Sequence, residues 1–266
     1  MQSIKSGADK NGKSLKKKPN YELQTLEKAI AILSCFSTKA PFLSISDISI
    51  MLGQHRSSVR RSISTFTKLG YLQENNKKFS LGPKVLDFGY QYLSALPFWG
   101  VAQPVIEELS DQINETVSIG LLDRSDVVFI LRVPSKRLLN FDPSIGSRVP
   151  AHLHSLGHVL LANLTNDEQE KIINSINFKS ITKFSIKDKA SLLKEIELTR
   201  RQGWSFTSRQ YEEQYCGISV PIFSKDNQNI AALNVSFVIG SDANRRAIED
   251  ILPLLKLGAR KINESL

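Results

Sequence analysis

The sequence predicts an α+β chain in two parts: an N-terminal winged helix-turn-helix and a larger C-terminal domain built on an antiparallel sheet. Three observations carry this. Apolar residues recur at helical spacing three times between residues 23 and 70, and two short strand-like runs follow. Beyond Pro97, hairpin-like pairs of strands alternate with helices. The 266 residues, 41% apolar and 23% charged, suffice for two globular cores.

Residues 1–20 are rich in Lys, Ser, Asn and Gly, lack aromatic residues, and are expected to be a disordered basic tail. The spacing of Leu23, Leu26, Ile30 and Leu33 predicts a first helix. After Pro41, the pair Ser44 and Asp47 has capping-box spacing and opens a short second helix that stops at Gly53. A third helix starts near His55, with Val59, Ile63, Phe66 and Leu69 as its buried stripe, and ends at Gly70. Tyr71–Gln73 and Phe79–Leu81 read as strands around a polar turn, Glu74–Lys78. The winged helix-turn-helix thus spans 21–82, and 83–96 reads as a linker helix.

The second domain, 97–266, is expected to run helix (Val101–Ile113), strands (Thr116–Leu122, Val127–Val133), then helices near Ser155–Asn163, Asp167–Ser175 and Lys187–Gln202. Strands at Trp204–Thr207, Gly217–Phe223 and Ile230–Val238 and a last helix, Asp242–Asn263, complete it.

The net charge of +9 is unevenly distributed. Residues 1–20 carry +5, residues 21–95 carry +4, and residues 96–266 carry twenty charges of each sign. A solubilising tail accounts for the first excess but not for the second, which lies on a folded segment. A polyanion partner for the N-terminal third accounts for both. At 100° per residue, Val59, Ile63 and Phe66 share one face of the third helix, while Ser57, Arg61 and Ser64 lie opposite, flanked by Arg56 and Arg60. Arg can bond guanine bidentately and Ser can bond bases or phosphates, and N-terminal residues of such a helix, here His55 and Ser58 among them, reach base edges. Lys77 and Lys78 on the wing are placed to meet phosphates. Double-stranded DNA is the expected partner of this part.

Other functions find less support. No apolar run is long enough to span a bilayer and no apolar stretch follows the N-terminal lysines, so a cytoplasmic protein without a membrane partner is expected. Cys35 and Cys216 match no metal or redox spacing and are expected to be reduced thiols. There is no Gly-x-Ser-x-Gly, no phosphate-binding glycine loop and no His-Glu-x-x-His, so no enzyme is expected. His152, His154 and His158 have a spacing that could hold zinc, yet lack neighbouring Asp, Glu or Cys to complete the set, except Asp142. A core or pocket-lining role is the expected one, with neither metal nor cofactor. An enzyme acting on a small aromatic or keto acid and a metal-responsive regulator stand as the alternatives.

Several segments together resemble one family. Leu26–Leu33, Ile45–Gly53, Arg56–Arg61, Leu69–Leu72 and Leu81–Leu86 are similar to the DNA-binding domain of IclR-type transcriptional regulators. The likeness resumes at Asn114–Val117, Pro150–His152, Ser155–Ala162, Arg201–Trp204 and Ile218–Pro221, and covers residues 22–265. Arg132–Arg137 followed by Gly146–Ala151 resembles the branch controlling aromatic-acid catabolism, which answers to 4-hydroxybenzoate, protocatechuate or β-ketoadipate and includes activators. The resemblance implies a GAF-like effector-binding domain, dimers that pair into tetramers, and a small aromatic carboxylic acid as effector. A bound effector is expected to change either how two DNA-binding heads are spaced or how they engage RNA polymerase, a further candidate partner.

By motif position, the resemblance implies effector contacts at Ser155, Leu156, Thr207, Gly217, Asn234 and Ser236. The residues themselves add two arguments. A loop running into a helix at Ser155–Gly157 presents backbone N–H groups to an anion, and Asn234 and Ser236 alternate onto one face of the last strand. Arg132 and Arg148 are further candidate cations for an acid, ranked below that backbone site. The chain departs from the family pattern at His154, a further candidate contact, at His158, at Ser208–Tyr211 and at Gln214. These lie beside the expected pocket and bear on which acid is bound.

Overall fold

The computed structural model describes residues 23–135 and 143–266. The basic tail and residues 136–142, with the Lys136–Arg137 end of the motif above, lie outside the described residues. The chain divides into two compact units between Gly89 and Tyr90, inside the stretch expected to link the two parts. No helix of the described residues is long and apolar enough to cross a membrane.

In the first unit, α1 (Gln24–Leu33), α2 (Ile45–Leu52) and α3 (Arg56–Lys68) precede a hairpin, β1 (Leu72–Asn75) and β2 (Lys78–Leu81). The Ser44–Asp47 capping box forms: the Asp47 N–H donates to Ser44 Oγ at 3.2 Å, and the Ser44 N–H to the Asp47 carboxylate at 2.8 Å. These two bonds satisfy N–H groups that a helix start leaves without partners. Gly53 ends α2 at φ +61. Val59 and Ile63 of α3 are buried with Ile32, Ile48, Leu72 and Phe79 in one small core.

Three details differ from the sequence expectation. Leu69, expected in the buried stripe of α3, is exposed, because the helix ends at Lys68 and Leu69 lies past its last turn. In α1 it is Ile32 that enters the core, while the face carrying Leu26 and Ile30 remains exposed, because the first-unit core contacts only one side of the helix. The wing turn is also tighter than the five polar residues suggested. Asn75 pairs with Lys78, leaving Asn76 and Lys77 alone at the turn with φ of +51 and +62. Positive φ at both central positions matches the twist of the flanking strands.

The second unit contains the last part of α4 (Val85–Ser94), then α5 (Trp99–Ile113), β3 (Thr116–Asp123), β4 (Asp126–Val133), β5 (Arg148–Pro150) and α6 (Ser155–Ala162). It continues through α7 (Asn166–Ser175), α8 (Lys189–Gln202), β6 (Ser205–Ser208), β7 (Tyr215–Phe223) and β8 (Asn229–Val238). Short helical turns over 243–251 lead into α10 (Leu252–Glu264), with Ala243–Arg245 counted as α9. The strands form one antiparallel sheet in the order β5-β4-β3-β8-β7-β6. The three-residue β5 was not separable from a loop by its sequence.

The period-2 alternation of the strands gives the sheet two unlike faces. Val117, Ile119, Ile218, Val220, Leu233, Val235 and Phe237 pack with α5 and α10 into the larger core. The opposite face lies under α6 and carries small polar side chains. Strand register lines these up in two rows. One runs Ser205–Ser219–Asn234–Ser118 across β6, β7, β8 and β3, and the next runs Thr207–Gly217–Ser236–Thr116.

Helix α6 can pack against the turn that leads into it because Gly157 has no side chain: a methyl group there would overlap the Ala151 backbone. Gly157→Ala is therefore expected to destabilise the protein by about 2–3 kcal/mol or more, since rigid backbone cannot yield to added volume as a core side chain can. Urea unfolding measures this; an unchanged midpoint would contradict the packing of α6.

Candidate functional site

On the first unit, His55, Arg56, Ser57, Arg60, Arg61 and Ser64 are all exposed along α3, opposite the buried Val59 and Ile63, and Ser58 is half-buried. Lys77 and Lys78 are exposed at the tip of the hairpin. The structure thus places these residues on a polar, cationic surface made by a single helix and a wing.

On the second unit, a cavity of about 520 Å3, its mouth included, opens on the polar face of the sheet. Thr207, Gly217 and Ser236, three members of the outer polar row, form part of its lining, with Phe129, Arg132, Leu153 and His154. The inner row lies beneath and is closed by its own hydrogen bonds. Asn234 Nδ2 donates to Ser155 Oγ at 3.1 Å, to Ser219 Oγ at 3.0 Å and to the Ile218 carbonyl at 3.0 Å. Asn234 Oδ1 accepts from Ser236 Oγ at 2.7 Å, and the Ser155 and Ser219 hydroxyls are 2.8 Å apart. Asn234 and Ser155 therefore hold α6 to the sheet and aim Ser236. Because the Ser236 proton is engaged, its oxygen faces the cavity as an acceptor.

At the helix start expected to receive an anion, the Leu156 N–H is taken from within. His154 caps α6, its Nδ1 accepting the Leu156 N–H at 3.2 Å. A backbone N–H can only donate, so the neutral ring carries its proton on Nε2. Burial, then the charges of His158 and Arg132, push the His154 pKa down to about 3, so the ring is a neutral donor on the cavity wall. His158 lies wholly inside; Nε2 donates to the His152 carbonyl at 3.0 Å and Nδ1 accepts from Ser205 Oγ at 3.3 Å. Burial above all holds its pKa at about 4. His152 is buried against the Phe178 ring, 5.2 Å between centroids, and burial lowers its pKa too. Among the described residues no three metal-ligating side chains come together.

The two arginines singled out by sequence part company. Arg132 reaches the cavity wall, donating to Ser118 Oγ at 3.1 Å with its guanidinium 5.7 Å from the Phe129 ring centre. Arg148 is paired with Asp123 at the sheet edge, half-exposed, and is absent from the cavity lining. Leu156 contributes its side chain to the core rather than to the cavity. Sequence reasoning missed Gln210, Tyr215 and Cys216 as lining residues, and Arg209 with them. The departure of residues 208–211 from the family pattern was the signal for the loop, but its position over the cavity follows from the β6–β7 pairing.

Residues 25–76 match the family profile described as the IclR helix-turn-helix domain, and residues 90–264 match that of the bacterial transcriptional regulator IclR C-terminal domain. The "Pca regulon regulatory protein" of Pseudomonas putida is 32% identical over 245 residues, covering 92% of this chain and 84% of the relative. The "p-hydroxybenzoate hydroxylase transcriptional activator" of Acinetobacter baylyi is 30% identical over 242 residues, covering 89% of each. The crystal structure of an IclR homolog complexed with 4-hydroxybenzoate, from Microbacterium hydrocarbonoxydans, superposes with a TM-score of 0.80 over 91% of this chain and 98% of that one. At 23% identity this last likeness is one of fold.

The buried histidines generate a pH dependence. In the unfolded chain both His154 and His158 titrate near 6.5, whereas in the fold they do so at about 3 and about 4. Below pH 6.5 the unfolded state binds more protons, so stability is full above that value and falls as pH drops toward 4. At about 1.4 kcal/mol per pH unit for each group, a loss of several kcal/mol is expected across this window. Urea unfolding between pH 4 and 7 measures it, and a flat profile would show that the two rings are not buried in neutral form.

Proposed function

The chain belongs to the IclR family of bacterial transcriptional regulators, and from that premise we propose that it binds a double-stranded DNA operator through α3 and the wing and responds to a small aromatic carboxylic acid held in the cavity of its second unit. The cavity carries the effector half of this reading: one aromatic wall at Phe129, a neutral donor at His154, and the Thr207–Gly217–Ser236 row beneath. A flat ring needs the apolar wall and its substituents need the polar groups. The relative whose name specifies p-hydroxybenzoate hydroxylase and the neighbour complexed with 4-hydroxybenzoate support the ligand class. The same relative, an activator, supports activation.

In this reading the basic tail adds sequence-independent phosphate contacts. The protein works in the cytoplasm as a homodimer or tetramer, so that two copies of α3 meet successive half-sites, and it presents a surface to RNA polymerase. Effector binding changes operator affinity, and operator binding changes effector affinity by the same factor. The ligand is bound and released unchanged.

Two outcomes test the two halves. Arg56→Ala and Arg61→Ala are each expected to weaken operator binding by about 1–3 kcal/mol, the usual worth of a bidentate base contact. Unchanged footprints in both variants would remove α3 from the major groove. For the cavity, 4-hydroxybenzoate at a hundredfold excess over Kd is expected to stabilise the protein by about 2.7 kcal/mol, read as a rise in Tm. Ser236→Ala should weaken that binding by about 1 kcal/mol. The absence of any Tm shift with hydroxybenzoates, protocatechuate or keto acids would sink the ligand class, and conversion of the ligand would favour an enzyme.

A further inference from the structure

Among the described residues, the cavity lining contains a cation that no carboxylate pairs with. Arg209 stands at the start of the loop from β6 to β7 with φ +63, a backbone conformation that non-glycine residues seldom adopt. The surrounding structure enforces it. Thr182 Oγ1 donates to the Arg209 carbonyl at 2.7 Å, Ser185 Oγ donates to the Gln210 carbonyl at 2.8 Å, and the Arg209 N–H donates to the Tyr215 carbonyl at 2.9 Å. The Phe184 ring centre lies 5.1 Å from the guanidinium. Backbone strain that is held this firmly tends to occur at ligand clamps.

Two atoms of this loop are buried and have no hydrogen-bond partner: Arg209 Nε and Gln210 Oε1. Both residues line the cavity. Among the described residues Arg209 forms no ion pair. The lining, among the described residues, holds two arginines, Arg132 and Arg209, and one carboxylate, Glu212, which is exposed. Of the other anchors that the sequence offered to an acid, the Leu156 N–H is engaged by His154, the Ser236 proton by Asn234 and Arg148 by Asp123, while Arg132 reaches the wall with a donor bound to Ser118. A buried guanidinium donor left unmatched is costly, and a carboxylate is its natural complement.

We propose that Arg209 anchors the ionised carboxylate of the cavity's ligand, with the Gln210 amide beside it as a second contact. The proposal rests on the reading of this cavity as the effector site and places the acid end of the ligand at the β6–β7 loop, not at the N-terminus of α6. Rotation of the Gln210 amide by half a turn exchanges its oxygen for its N–H donors without altering its shape, so it can follow Arg209 in donating to the same carboxylate. The neutral His154 Nε2–H and the Ser236 oxygen remain for the ligand's other polar group. Binding through Arg209 ties the loop to the segment carrying Thr182 and Ser185.

Isothermal titration of the full chain with 4-hydroxybenzoate and with neutral 4-hydroxybenzamide tests the assignment. The wild type should bind the acid at least tenfold more tightly than the amide. Arg209→Gln should lose tenfold or more for the acid and little for the amide, and Arg209→Lys should recover part of the acid binding by keeping the charge. Arg209→Gly, which suits the positive φ, serves as a second truncation whose fold is not strained, and it should behave as Arg209→Gln does. If the truncations weaken acid and amide alike, or weaken neither, the carboxylate is held elsewhere and the proposal falls while the effector cavity stands. If the wild type binds no carboxylate among hydroxybenzoates, protocatechuate and adipate, the effector reading fails and this anchor fails with it.

Discussion

The hydrogen bonds converging on Asn234 organise the second unit. A buried side-chain amide must find partners for both its N–H donors and its oxygen. Here Ser155, Ser219 and the Ile218 carbonyl take the donors, and Ser236 supplies the proton to the oxygen. Satisfying that one residue fixes three elements at once: the start of α6, the middle of β7 and the outer end of β8. It also requires close approach. Gly217 is bare because a methyl group there would stand 3.0 Å from Ser155 Oγ and 3.3 Å from Asn234 Nδ2. Gly157 is bare against the Ala151 backbone, in the turn that leads into α6. The network lies below the cavity floor, so its contribution to binding is positional: it sets where Ser236 stands and which way its lone pairs face.

The sheet can support such a network because its two faces do different work. The α5/α10 face buries aliphatic side chains and Phe237 in a core that needs no polar partners. On the α6 side a second apolar cluster, with Phe129, Leu156, Val159, Leu161 and Ala232, packs beside the polar rows, which a purely apolar core would exclude. The histidines follow the same logic. Kept neutral by burial, His154 and His158 serve as fixed hydrogen-bonding groups rather than charges. Among the described residues, charge on the lining then comes from groups with access to the cavity: Arg132, Arg209 and Glu212.

The first unit distributes its residues differently. Its core is small, and α3 divides its circumference between Val59 and Ile63 inward and an Arg/Ser face outward. The tight Asn76–Lys77 turn sends Lys77 and Lys78 to the tip of the wing. Both features depend on local geometry alone, which is why a cationic helix and wing can be read without knowing what the second unit does.

Local chemistry settled what the sequence could determine by itself. The Ser44–Asp47 cap, the Gly53 and Gly70 stops and the 3.6-residue stripe of α3 depend on neighbours within a few positions, so the helix-turn-helix and the polarity of its outward face were legible. The order of segments sufficed for the family, the antiparallel α+β architecture and the polar alternation of Asn234 and Ser236. The tertiary structure decided everything that depends on which distant atoms meet. Sequence could place Asn234 and Ser236 on one face but could not tell that Ser155 and Ser219 would close over the first and leave the second at the cavity. It offered the N–H groups of α6 to an anion, because a helix start looks open until the capping side chain is known, and His154 takes the Leu156 N–H. It weighed Arg132 and Arg148 alike, since a formal charge does not reveal that Asp123 waits across the sheet edge for one of them. It gave Arg209 no role, because the loop reaches the cavity only through the pairing of β6 with β7 and the grip of Thr182 and Ser185, contacts that span about 25 residues and leave no periodic trace along the chain.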